Sequence, residues 1–259
     1  MQISFQKFQG CGNDFIIIDN RKGEITLSNQ RVEILCDRHF GIGADGLMLL
    51  ETAPGYDFKM VYYNSDGNVS SLCGNGSRCI TRFAQSLGII KDKAHFLASD
   101  GEHYSVINGE EITLHMANVN KIEDKGDFLF LNTGSPHVVK WVTRLEEYDV
   151  FGEGRKIRES EPYKSNGGTN VNFIEQTPDG IFIRTYERGV ENETLACGTG
   201  VTAAALVASQ FNRATSANSC KVKTLGGNLS VDFKNENNSF RDIWLKGPAE
   251  FVFKGEVGI

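Results

Sequence analysis

Residues 72–78 read LCGNGSR and residues 196–202 read ACGTGVT, so the chain twice sets a cysteine before Gly-x-Gly and then enters a helix-like run. Cys73 and Cys197 are 124 positions apart (197 less 73), close to half of the 259-residue chain. That spacing predicts a duplicated unit, and hence two domains of about 120–130 residues each. The polar stretch NVNKIEDKGD, residues 118–127, is the nearest thing to a linker,. It divides the chain into an N-terminal domain over 1–117 and a C-terminal domain over 118–247.

Around the two stretches the chain consists mainly of short strand-like runs: FQKFQ, DFIIID, GLMLLE and FKMVYY first, then DFLFLNT, HVVKWV, VNFIEQ and IFIRTYE. HYSVI-NG-EEITLHM and CKVKTL-GG-NLSVDF carry the turn residues of tight hairpins,. Only three or four helical segments interrupt them. Ser28 is placed to cap NQRVEILCDRHF, in which Val32, Leu35 and Cys36 share a face,. Residues 74–87 end at Gly88, suited to the left-handed position after a helix, and residues 198–211 are rich in alanine,. Regular strand-helix alternation is missing, so the predicted class is α+β with antiparallel pairing.

Lys and Arg number 27 against 33 Asp and Glu, and no run of more than two basic residues occurs. That charge pattern argues against nucleic acid as a partner. The opening MQISFQKFQG carries no basic cluster followed by a long apolar stretch, and apolar segments elsewhere are strand-sized, which predicts a cytosolic protein with no membrane partner,. The six cysteines include no Cys-x-x-Cys pair and the five histidines are scattered. Free thiols are expected rather than a disulfide framework or a metal site.

A helix start exposes unpaired N–H groups and the positive end of the helix dipole, so it favours a thiolate and lowers the ordinary cysteine pKa of about 8.5. Without side chains at Gly74, Gly76, Gly198 and Gly200, a carboxylate is expected to reach those N–H groups. Two such halves facing one another would set one cysteine on each side of an amino-acid α-carbon. One thiolate would remove the α-proton and the opposite thiol would deliver another, inverting the centre. Helix N-termini would stabilise the charge that develops on the carboxylate, so no cofactor is expected. Upstream, YNSDGNVSSLCGNG and YERGVENETLACGTG align at Tyr63 and Tyr186, with Asn64 and Arg188 each nine residues before their cysteine. Glu187 and Arg188 suit the ammonium and carboxylate of an amino-acid end group.

These residues resemble the diaminopimelate epimerase family. The matching segments are GCGNDFIIID, FGIGADGLMLLE, NSDGNVSSLCGNGSRC, NTGSPHVV, TNVNFIE, YERGVENETLACGTG and GPAEFVFKGEV, spread over essentially the whole chain. The resemblance implies a cofactor-independent isomerase of lysine and peptidoglycan-precursor biosynthesis that interconverts LL- and meso-2,6-diaminopimelate. It implies two pseudo-symmetric domains, each a curled antiparallel sheet around a central helix, with a final strand at 248–259 completing the first domain, and a homodimer. Cys73 and Cys197 would be the catalytic base and acid, exchanging roles with reaction direction. Gly74, Asn75, Gly198 and Thr199 would bind the reacting carboxylate through backbone N–H groups. Asn13, Asn64, Asn170, Glu187 and Arg188 would hold the substrate, the last four mainly at its distal end, and His137 and Glu187 would tune the cysteine pair.

Two positions depart from the family pattern: Ser135 stands where many members have Asn, and Gly46 where some have Gln, so a side-chain contact at 46 is expected to be lost or replaced. The loop between Glu187 and Cys197 carries one extra residue. Read without the family, Asn13, Asn64 and Asn170 fit turn residues, His137 a structural histidine and Glu187–Arg188 a surface pair. Cys11, Cys36, Cys79 and Cys220 read as core packing. A proline or hydroxyproline racemase of the same architecture and a thiol redox protein are the rival readings; the distal pair Glu187–Arg188 argues against the first.

Overall fold

The runs FIIID and GLMLL become two neighbouring strands covered on both faces. In the computed structural model, which describes residues 2–70, 72–237 and 239–258, they lie in β2 and β3 of the first of two compact units. That unit comprises Met1–Leu114 and Gly247–Ile259, and the second His115–Lys246.

The first unit runs β1 (Gln2–Gly10), β2 (Asn13–Asp19), α1 (Asn29–Cys36), β3 (Gly46–Glu51), β4 (Phe58–Asn64), α2 (Gly74–Ser86), β5 (Lys93–Ala98), β6 (Gly101–Asn108) and β7 (Glu111–Met116), whose last two residues fall to the second unit. The second runs β8 (Glu123–Asp124), β9 (Leu129–Asn132), β10 (Pro136–Trp141), α3 (Val150–Arg158), β11 (Asn170–Thr177), β12 (Gly180–Glu187), β13 (Asn192–Thr194), α4 (Gly198–Gln210), β14 (Ser219–Lys223), β15 (Asn228–Glu236) and β16 (Ser239–Pro248), whose last two residues fall to the first unit. Finally β17 (Glu250–Gly258) pairs antiparallel with β1, inside the first unit.

The two units repeat one plan. Antiparallel β1–β2 and β3–β4 flank parallel β2–β3, and parallel β4–β5 leads to antiparallel β5–β6–β7. In the second unit β9–β10, β10–β11, β11–β12, β12–β14, β14–β15 and β15–β16 repeat that order of senses. Antiparallel pairing therefore dominates, as the sequence predicts, but each unit holds two parallel pairs. Each parallel pair is joined by a crossover containing a helix, the connection that parallel strands require. Strands covered on both faces read as unbroken apolar runs whichever way their neighbours point, which is why FIIID and GLMLL do not betray their parallel pairing.

One side of each sheet is closed by the amphipathic helix of the first crossover. Ser28 Oγ accepts from Arg31 N at 3.3 Å to cap α1, and Val32, Leu35 and Cys36 pack with Ile16, Ile18, Leu47 and Leu49. In the second unit α3 sets Val150 among Val138, Val171, Phe173 and Tyr186. Each such side chain removed from water contributes about 1.5–3 kcal/mol. The sheets curl around α2 and α4. Helix α4 packs against β9, β10, β11, β12, β14 and β15, which explains its alanines: small side chains let strands approach on every side. Both central helices end alike. Gly88 has φ +70°, with Ile89 N donating back to Ala84 O at 3.1 Å; Asn212 has φ 55°, with Arg213 N donating to Ala208 O at 2.8 Å,. Among the described residues no helix is long and apolar enough to cross a membrane.

Candidate active site

Each central helix opens on one of the two cysteines. Cys73 occupies the N-cap of α2 at φ -107°, ψ 118°, and Cys197 that of α4 at φ -115°, ψ 111°. Cys73 Sγ accepts from Gly76 N at 3.5 Å, so one orphan N–H of the first turn is spent on the sulfur and favours its charged form. Cys197 Sγ lies 3.5 Å from the hydroxyl of Thr199, and the Thr199 carbonyl is held by Thr133 Oγ1 at 2.9 Å. No cysteine of the six is in a disulfide. Burial pushes the other four thiols up, Cys36 to about 12 and Cys220 to about 11, and Cys11 and Cys79 upward as well. Those four are buried packing residues, as the sequence reading has them.

Asn13 joins Cys73 through a tight turn. Cys11 and Gly12, with φ of 55° and 81°, form the two-residue connection between β1 and β2, a primed hairpin turn that needs both residues left-handed,. It delivers Asn13 as the first residue of β2, where its Oδ1 accepts from Cys73 Sγ at 3.7 Å and from Asn75 Nδ2 at 3.3 Å. Asn64 closes β4 opposite Gly46, and its carbonyl accepts from Gly67 N at 2.9 Å in the turn that follows.

In the second unit the polar residues form a connected set. Asn170 Nδ2 donates to Ser135 Oγ at 2.9 Å, while its Oδ1 accepts from Arg188 N at 2.9 Å. Thr194 Oγ1 donates to Glu187 Oε2 at 2.8 Å. His137 is fully buried, and desolvation, aided by the Arg188 charge, pushes it down to about 3. It is a neutral imidazole at any ordinary pH. Asn172 Nδ2 can only donate, so at 3.1 Å His137 Nδ1 is the acceptor and the ring hydrogen sits on Nε2,. Asn172 is fixed further by Val138 O at 2.8 Å and by Thr185 Oγ1, which donates to its Oδ1 at 3.0 Å.

Two sequence readings change. The glycines at 76 and 200 do not open the backbone to a ligand on the side a Cβ would occupy: a methyl at Gly76 would lie 1.9 Å from Met48 Cε, and one at Gly200 2.4 Å from Asn172 Oδ1. They let a strand side chain seat against the helix start. Counting nine residues back from each cysteine pairs Asn64 with Arg188, but Asn64 closes β4 one residue after Tyr63, which faces Leu47, as Glu187 closes β12 one residue after Tyr186, which faces Val171. The extra loop residue before Cys197 shifts the count by one. At Gly46 a Cβ would meet Tyr62 Cε2 at 2.6 Å and Tyr63 O at 2.7 Å, so the Tyr62 ring occupies the room a longer residue would need.

A family model described as "Diaminopimelate epimerase" matches residues 5–122 and 129–252. The diaminopimelate epimerase of Flavobacterium psychrophilum is 53% identical over 254 residues, covering 97% of this chain and 98% of that one. The chain belongs to the diaminopimelate epimerase family. Its relative from Chlorobaculum tepidum is 44% identical over 258 residues, covering 96% of this chain and 98% of that one. Among solved structures, a Bacillus anthracis phenazine biosynthesis protein of the PhzF family superposes with a TM-score of 0.76 at 14% identity, each chain covered fully. A hydroxyproline epimerase from Agrobacterium vitis gives 0.70 at 13% identity over 99% of this chain and 92% of that one. At these identities the likeness concerns the fold.

In this member of the diaminopimelate epimerase family, sequence reasoning passes over Asn172, Arg78 and Asp45. Asn172 stands two residues after Asn170, on the same strand face, and a second asparagine there is the available signal. Arg78 is fully buried within α2, an unusual place for a cation. Asp45 reads simply as a turn residue in ADG. Among the described residues no group of three or more His, Cys, Asp or Glu is arranged to hold a metal ion.

Proposed function

We propose that this isomerase interconverts LL- and meso-2,6-diaminopimelate by a two-base proton transfer between Cys73 and Cys197, in lysine and peptidoglycan-precursor biosynthesis. The observation that carries the reading is the repeated placement of a cysteine as N-cap of each unit's central helix, in a chain of this family. One thiolate takes the α-proton; the C–H electron pair passes into the carboxylate as an enolate-like carbanion. The second cysteine returns a proton to the opposite face, and the first thiol becomes the next donor. Backbone N–H groups of Gly74, Asn75, Gly198 and Thr199 stabilise the charge that develops on the carboxylate, the role a cofactor would otherwise fill. Asn13, Asn64, Asn170, Glu187 and Arg188 hold the two ends of the substrate. His137, a neutral imidazole, and Glu187 tune the cysteine pair, the first without adding charge. The working form is a cytoplasmic homodimer.

The test is a direct epimerisation assay with diaminopimelate and proline side by side. Diaminopimelate turnover without proline turnover is expected. Cys73→Ala and Cys197→Ala should each lower turnover by at least about 10²–10⁴, the scale of a lost general acid or base. An active Cys73→Ala protein, or proline as the better substrate, contradicts the assignment. Elution as a dimer in size-exclusion chromatography is expected; a monomer at working concentration defeats that part.

A further inference from the structure

In the first unit a short series of side-chain amides is anchored at both ends by ions. Arg78 is fully buried. Its Nη2 donates to Asn75 Oδ1 at 2.9 Å, its Nη1 to Gly74 O at 3.3 Å and its Nε to Pro248 O at 3.2 Å. A guanidinium has donors only, so the atom of Asn75 that faces it is the oxygen. That leaves Asn75 Nδ2 to donate to Asn13 Oδ1 at 3.3 Å. At the other end the Asp45 carboxylate, which only accepts, takes Asn13 Nδ2 at 2.7 Å. Two independent ions thus demand one orientation of Asn13, nitrogen toward Asp45 and oxygen toward Asn75. The same oxygen lies 3.7 Å from Cys73 Sγ.

We infer that Arg78 and Asp45 are positioning residues for the proposed proton transfer: they lock Asn13 with its amide oxygen on Cys73, so that this sulfur holds a proton in the resting enzyme. An oxygen acceptor beside sulfur stabilises S–H and opposes a thiolate, whereas the Gly76 N–H at 3.5 Å favours the thiolate,. Turning Asn13 round would put an N–H against the sulfur and remove the opposition. The lock is braced outward. Arg38 Nη2 donates to Asp45 Oδ1 at 2.7 Å and to Asp14 Oδ1 at 2.7 Å, and Lys7 pairs with Asp14 Oδ2 at 2.8 Å. Despite burial, which raises it, Arg38 and Lys7 hold Asp14 at about 2. The charged and titratable groups around the series are therefore Arg78, Cys11, Cys79 and Glu250 on one side, and Asp14, Lys7, Arg38 and Asp45 on the other.

This rests on Cys73 being a proton-transfer group, and the experiment reads the sulfur itself without turnover, so the two can fail separately. In the unmodified full-length protein at neutral pH, infrared difference spectra against Cys73→Ser should contain a Cys73 S–H stretching band, lowered in frequency by the carbonyl acceptor. Absence of that band overturns the inference. The orientation is tested by a double-mutant cycle with Arg78→Gln and Asp45→Asn, which make each anchor able both to donate and to accept. The readout is the pH midpoint of Cys73 alkylation by iodoacetamide, from peptide mapping of the folded protein. The single changes remove charges of opposite sign and shift the midpoint in opposite directions, and either remaining anchor still fixes Asn13. The double variant removes both anchors, and its midpoint should fall below the sum of the singles by about one unit, a tenfold gain in alkylation at lower pH. A double variant equal to that sum, or above it, contradicts the lock; if it does not fold, the infrared band of the natural protein decides.

Discussion

The two units share a backbone plan and differ in what they hang on it. Where β3 begins with Gly46, β11 begins with Asn170; the strand beside each supplies Phe15 in one unit and His137 in the other. Where Met48 faces Tyr62, Asn172 faces Thr185. Asn64 gives way to Glu187, and Asn75 after the first cysteine to Thr199 after the second. The cysteine N-cap itself is kept, at nearly the same dihedral angles. The difference teaches that duplication preserves the placement of a sulfur at a helix start and lets the surroundings diverge. In the first unit an amide oxygen bears on the sulfur; in the second a hydroxyl does, in a unit that also holds a buried polar network centred on Asn172.

The largest effect that sharpens this comparison concerns His137. Its folded pKa, near 3, lies below the ordinary histidine value of 6.5. Between those values the unfolded chain binds a proton that the folded chain refuses, so stability is intact above about pH 6.5 and falls as pH drops toward 3, by about 1.4 kcal/mol per pH unit for one proton. His137→Asn, which keeps an acceptor near Nδ1, should lose this component of the denaturation profile. Phe15, at the same place in the first unit, has no counterpart to it. An unchanged profile in the variant breaks the contrast.

Next come the two glycines under the helix starts. The closer clash is at Gly76, 1.9 Å from Met48 Cε, yet a methionine end is adaptable and Gly76→Ala should cost only about 1 kcal/mol or less,. At Gly200 the obstacle is Asn172 Oδ1 at 2.4 Å, part of a side chain held by three hydrogen bonds. Gly200→Ala should cost about 2–4 kcal/mol, combining overpacking with a broken buried network. Chemical denaturation of both variants checks the order, and the reverse order would contradict it. A smaller effect is expected from Thr185→Val, about 1 kcal/mol for the lost donor to Asn172,; a stabilised variant would show that the second unit's network is not satisfied as described.

Much of this was open to sequence reasoning. Helix starts, the glycine after α2 and the strand-dominated plan all follow from local chemistry, as does the β6–β7 hairpin, whose turn falls at Gly109–Glu110, one residue past the Asn-Gly signal's own pair. What was hidden is of two kinds. Parallel pairs within each sheet leave no local mark, because burial on both faces gives the same apolar run in either direction. Buried polar partners such as Arg78 with Asn75, or Asn172 with His137, come from segments whose meeting only the fold decides. Counting back from the cysteines pairs Asn64 with Arg188 because a single inserted loop residue lies before Cys197, which pattern spacing cannot locate and a strand ladder can.

The most direct measurement of the central claim, that two cysteines exchange the α-proton with solvent-equilibrated hydrogens, is epimerisation of LL-diaminopimelate in deuterated water, stopped early and read by mass spectrometry. The meso product is expected to carry one deuterium at the inverted carbon while unreacted substrate remains protiated. Product that retains its original α-hydrogen would contradict proton transfer between two separate thiol groups.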